Sequence, residues 1–134
     1  MPRRSGRERM RTFRTVVSVF AEEVVLYLCS MEDFVDAMME EYGIDLSASI
    51  GGGDGGYHVQ ADGKGGIVEV VWMPEFDFTP WAASILMHEC IHVAVNSMQA
   101  RRIPVIPEGS SEMLAYMASS IFYGLMEEMT HGCK

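Results

Sequence analysis

The segment Met87-His88-Glu89-Cys90-Ile91-His92 sits in the middle of a long uninterrupted run, Thr79 to Ala100, that is predicted to be one helix. Thr79 is a good N-cap, and Pro80 suits the first helical position because its missing N–H would be unpaired there anyway. Neither Gly nor Pro recurs until Pro104. On such a helix His88 and His92 project from one face about one turn apart, so their imidazoles can converge on a tetrahedral metal ion. Glu89, offset by one position, then points at the open side of that ion.

The surrounding residues sharpen this expectation. Trp81, Ala82, Ala83, Ile85, Leu86, Met87, Cys90, Ile91, Val93, Ala94, Val95 and Met98 cover most of the circumference, which predicts a helix buried on nearly all sides. Against them Ser84, His88, His92 and Asn96 form one polar line at steps of four, with Glu89 beside it. Buried polar groups need partners, so this line calls for either a metal or a dense hydrogen-bond network. Two core histidines bonded to backbone carbonyls would produce the same sequence.

A chain of 134 residues that is 49% hydrophobic and 22% charged is large enough for one domain with a real core. Six of its ten basic residues (Arg3, Arg4, Arg7, Arg9, Arg11, Arg14) fall in the first fourteen positions, against the single acid Glu8. That leaves +5 on the tail and −14 on the rest of a chain whose net charge is −9. Residues 1–14 therefore read as a basic, disordered arm, and 15–134 as the domain. The acidic body disfavours nucleic acid as a partner, except through the arm. Phosphate or partner docking and targeting are the arm's other readings.

No apolar stretch follows the basic start as a secretory signal would require, and Glu22 and Glu23 break the run Val16 to Leu28 below membrane-spanning length. The three cysteines, Cys29, Cys90 and Cys133, are odd in number and lack C-x-x-C spacing, which favours a reducing, cytoplasmic setting over a disulfide framework or a cysteine zinc site. Cys90 is expected to be a small core residue, and Cys133 to lie in a fraying tail.

Outward from the central helix, the pattern predicts an α+β domain with a short, mostly antiparallel sheet, one N-terminal helix and two C-terminal helices. Thr15 to Val19 and Val24 to Cys29 are β-branched strand material, either one bent strand or a pair. Ser30 caps a helix from Met31 to about Tyr42, stopped by Gly43. Ile44 to Gly56 reads as loop. Gly51, Gly53 and Gly56 satisfy G-x-G-x-x-G, but between a loop and a strand this is no dinucleotide site. Tyr57 to Ala61 and Ile67 to Trp72 flank a turn-rich connector and predict a hairpin. After the extended, twice proline-containing connector Arg101 to Pro107, Glu108-Gly109-Ser110-Ser111 opens a last helix with apolar positions Met113, Leu114, Met117, Ile121, Phe122, Leu125, Met126 and Met129.

A catalytic zinc takes three protein ligands and keeps one position open. His58 reads as a surface or hairpin residue and His131 as part of the tail, which leaves Glu108 and Glu112 as candidates for the third ligand. Glu112 is preferred because its helix follows directly, although an acid in a first helical turn is favoured by the macrodipole without any metal. Tyr116, one turn beyond Glu112, can either donate to a developing oxyanion or pack in the core.

His88-Glu89-Cys90-Ile91-His92 with Glu112 on a second helix resembles the gluzincin branch of the zincin metallopeptidases, whose signature is H-E-x-x-H. The strand-helix-hairpin front followed by two helices with Glu112-Met113-Leu114-Ala115-Tyr116 is also similar to small H-E-x-x-H proteins encoded by tailed phages. The resemblance spans roughly Val24 to Met129, and the five-residue motif is its specific part. It implies that His88 and His92 bind Zn2+, that Glu89 is the general base and that Glu112 completes the site. The metzincin extension is absent, since Val95 and Met98 stand at its glycine and third histidine.

The expected activity is hydrolysis of a peptide or protein substrate by zinc-activated water, with the substrate lying along the edge of the Ile67 to Trp72 strand. The alternative is a non-catalytic zincin-like structural or interaction protein, virion-associated if phage-encoded, with a place in the host cytoplasm or the virion. No membrane association is expected in either case.

Overall fold

The structure is a computed structural model, and it describes residues 10–17, 20–49, 55–63, 65–104 and 110–132. Among the described residues four strands and three helices follow one another as β1 (Arg11–Val17), β2 (Glu22–Leu28), α1 (Met31–Tyr42), β3 (Tyr57–Gly63), β4 (Gly66–Met73), α2 (Pro80–Ala100) and α3 (Ser110–Gly132). The strands form a single mixed sheet in the order β1-β2-β4-β3. The expected antiparallel character holds for β1/β2 and β3/β4, while the two central strands, β2 and β4, run parallel.

The β2/β4 pairing explains the composition of both strands. Glu22–Leu28 and Gly66–Met73 are nearly continuous apolar runs because helices cover both faces of the sheet. On one face α1 buries Phe34, Ala37 and Met38 against Val25, Tyr27, Val70 and Trp72. On the other, Leu86, Cys90, Val93 and Met98 of α2 and Met117, Ile121, Leu125 and Met129 of α3 pack on Val24, Leu26, Val71 and Met73. Trp72 is anchored in the first layer by an Nε1–H donated to the Cys29 carbonyl at 2.9 Å.

Local chemistry sets the helix ends. The Ser30 hydroxyl accepts the Asp33 N–H, Gly43 closes α1, and Thr79 accepts the Ala82 N–H at the start of α2 with Pro80 as its first residue. Gly124, which interrupts the apolar pattern of α3, is required by proximity: a Cβ there would lie 2.2 Å from the Thr15 hydroxyl of β1. The helix therefore rests directly on the edge strand. No helix among the described residues is long and apolar enough to cross a membrane.

Three expectations are corrected. β1 begins at Arg11, so positions 11–14 of the basic arm are strand rather than disordered chain, and Arg14 forms an ion pair with Glu23. The arm's residues 1–9 lie outside the described residues, as do Glu108 and Cys133. Helix α2 is not buried all round: its Ser84-His88-His92 line faces outward together with Trp81, which is 69% exposed, and Ile91. The Ile67 to Trp72 strand offers no free edge, because β4 is paired on both sides and the edge beyond it belongs to β3.

Candidate functional site

Strand parity brings the polar residues together. In β3 the side chains of Tyr57, Val59 and Ala61 turn toward α1, so His58 and Gln60 turn toward α2; their partners on β4, Val71 and Glu69, share that face. Helix α2 runs over the same surface and buries Glu89, Cys90, Val93 and Ser97 against it. A polar seam follows along the contact of α2 with the sheet.

At the N-terminal side of the seam four side chains meet. His88 Nε2 and His92 Nε2 are 3.1 Å apart, with ring planes at 73°. Glu89, only 5% exposed, has its Oε2 3.1 Å from His58 Nδ1. The His58 ring stacks on His92 with centroids 4.7 Å apart and planes within 10°. Burial lowers the pKa of His92, the field of His58 lowers it further, and the carboxylate of Glu89 opposes both. Neutral imidazole is thereby favoured, the form that binds metals. Gly56 presses from the loop side, where a Cβ would sit 2.9 Å from Glu89 Cγ and from the Trp72 carbonyl oxygen. Beside these groups a cleft of about 310 Å³ is lined by Gly55, Gly56, Trp81, Ser84, Ile85, His88 and Glu89.

The His88/His92 pair fits two vertices of a zinc site: bonds of about 2.0–2.1 Å place tetrahedral ligand atoms about 3.3 Å apart. His58 does not supply a third vertex as placed, because stacked, near-parallel rings hold their in-plane lone pairs in separate parallel planes that do not meet at one ion. Glu112 lies exposed in the first turn of α3 and shares with Tyr116 and Tyr123 the face opposite Met117, Ile121 and Leu125. Tyr116 is 60% exposed, so its core-packing alternative does not hold. Among the described residues no three His, Cys, Asp or Glu side chains form a group that could hold a metal. His88, His92 and Glu89 thus lie together with His58, which reads in the sequence as a surface or hairpin residue, while Glu112 and Tyr116 are exposed on α3 and form no metal-binding group with them. Only the alternation of Tyr57-His58-Val59-Gln60-Ala61 hinted at the place of His58.

Further along the seam lies a second acidic cluster that the sequence did not disclose. Glu22 of β2 accepts the Ser97 hydroxyl at 3.0 Å, and its Oε2 lies 2.7 Å from Arg101 Nη1. The Arg101 guanidinium covers the Phe20 ring at 3.9 Å. Glu69 of β4, fully buried, accepts the Gln60 amide at 2.7 Å. Glu22 Oε2 and Glu69 Oε2 are the two buried side-chain oxygens among the described residues without an aligned hydrogen bond. One proton reconciles them: burial raises the pKa of Glu69 to about 7, Gln60 opposes this and the neighbouring Glu22 reinforces it, so a neutral Glu69 can donate to the Glu22 carboxylate.

Elsewhere burial pushes the Cys90 thiol up to about 12 and that of Cys29 up to about 11, which makes both inert core residues. No family model matches this chain, and neither a curated protein nor a solved structure does so.

Proposed function

We propose that the protein is a zinc-dependent peptide hydrolase of zincin type, with His88 and His92 as metal ligands and Glu89 as general base. The supporting observation is the 3.1 Å approach of the two Nε2 atoms beside a buried carboxylate. Two imidazole nitrogens at that distance share either a proton or a cation, since bare lone pairs repel. Zinc, when bound, acts as a Lewis acid that acidifies water and polarises a carbonyl. Glu89 takes the proton of the attacking water and passes it to the leaving nitrogen. The cleft lined by Gly56 and Trp81 admits substrate to Glu89, and the edge of β3, which pairs with no further strand among the described residues, can pair with an extended peptide.

The second reading is a zincin-like interaction module without catalysis, and the position of Glu112 favours it. A catalytic zinc needs a third protein ligand, and this side chain is exposed on a face turned from the core.

Elemental analysis and an assay on unstructured protein separate the two. The hydrolase binds one zinc, loses it in His88→Ala and His92→Ala, and in Glu89→Gln keeps zinc while turnover falls by about 10²-fold or more. Stoichiometric zinc without turnover selects the interaction module. Absence of zinc uptake from a zinc-supplemented solution removes the metal from either account.

A further inference from the structure

Glu89 is held from two sides. Its Cγ is closely approached by the Gly56 backbone, and its Oε2 meets His58 Nδ1. Glu89 Oε1 has no hydrogen-bond partner among the described residues, yet it is not one of the buried orphan oxygens, so it remains accessible at the cleft that Glu89 lines. An ionised carboxylate only accepts hydrogen bonds, so His58 Nδ1 must carry the proton between them. The His58 ring cannot turn freely, because β3 delivers it at the Val71 register and its face stacks on His92.

We propose that His58 is a positioning residue: its Nδ1–H fixes one oxygen of Glu89 so that the other is presented to the cleft for proton transfer. This rests on the hydrolase reading above. A glutamate side chain has three rotatable bonds, and general-base catalysis depends on reach and angle before it depends on basicity. His58 supplies the angle without touching substrate. Its ring, stacked on His92, is not aimed at the ion that His88 and His92 would share, which distinguishes it from them.

The experiment compares wild type, His58→Phe, His58→Asn and Glu89→Gln for kcat, KM, zinc content and melting temperature, with unstructured protein as substrate. His58→Phe retains a ring for stacking but no donor. It is expected to keep zinc and KM about unchanged while kcat falls about 10- to 100-fold. His58→Asn places an amide N–H near the position of Nδ1–H and is expected to recover most of the turnover. In the metal-free wild type, isotope-labelled imidazole spectra are expected to show His58 as the Nδ1–H tautomer, with that resonance moving in Glu89→Ala. Wild-type kcat in His58→Phe, equal losses in the Phe and Asn variants, or an Nε2–H tautomer would overturn the proposal. A wild type that neither takes up zinc nor hydrolyses anything overturns the hydrolase reading with it. Turnover that is lost in Glu89→Gln and intact in His58→Phe overturns the positioning role alone.

Discussion

Helix α2 buries an acid or its partners against the same sheet face at two places along its length, and the two are finished differently. Near its middle the Glu89 carboxylate has one hydrogen bond among the described residues, to a half-buried histidine, and borders an open cleft. At its far end Glu22 is held by Ser97 and by Arg101, whose guanidinium covers the Phe20 ring, and stands against the fully buried Glu69. The closed cluster balances charge internally: Arg101 faces one carboxylate, and below about pH 7 a proton neutralises the other. The open cluster leaves an oxygen accessible. An acid that is to exchange protons with water must keep such access, whereas an acid that fixes a helix on a sheet must not, because unpaired buried charge is costly.

Cutting each cluster at its nitrogen partner is the most severe test of this contrast. Arg101→Met leaves the Glu22 charge buried without its cation and is expected to lower unfolding stability by about 3 kcal/mol in denaturant titration. It also removes a cation from the C-terminal end of α2. The equivalent cut at the open cluster, His58→Phe, is expected to cost about 1 kcal/mol or less, because water can replace the lost donor. Equal losses would erase the distinction.

A smaller effect follows from pH. Glu69 has a folded-state pKa of about 7, above its ordinary value of 4.5. The native state therefore holds more protons than the unfolded chain between those values, and this group's contribution to stability falls as pH rises through the window. Glu69→Gln keeps a donor toward Glu22 and an acceptor for Gln60 without titrating. Relative to wild type it is expected to gain on the order of 2 kcal/mol between pH 5 and pH 8. Parallel stability curves for the two proteins would show that the pair shares no proton.

The smallest change expected is at Glu112. On its exposed face of α3, Glu112→Ala should alter stability by less than about 0.5 kcal/mol. Zinc content measured on the same sample then decides its chemistry. Retained zinc removes Glu112 from the ligand set, while zinc loss at unchanged stability places it there.

Much of the local structure was legible because its causes are local. Ser30 and Gly43 bound α1, Thr79 and Pro80 start α2, and the glycine-rich connector turns the hairpin. The approach of His88 to His92 was legible for the same reason, since helical spacing alone places residues four apart on one face. Misreadings arose where the partner lies far away in the chain. Nothing in Ile67-Val68-Glu69-Val70-Val71-Trp72 marks Glu69 as core, yet it is fully buried because β2 and β3 flank its strand and α2 covers it. Trp81 and Ile91 looked like core and are exposed, because a helix with apolar residues all round does not say which side the sheet will take.

The sequence by itself determined the elements, their ends and the two histidines on one helical turn, all set by dihedral preference, capping and a period of 3.6 residues. Only the tertiary structure decided that β3 lies outside β4, and with it that His58 meets Glu89 while Gln60 meets Glu69. Strand order is a long-range choice: the alternation within β3 is satisfied equally well at either edge of a sheet, and burial of the whole assembly selects between them.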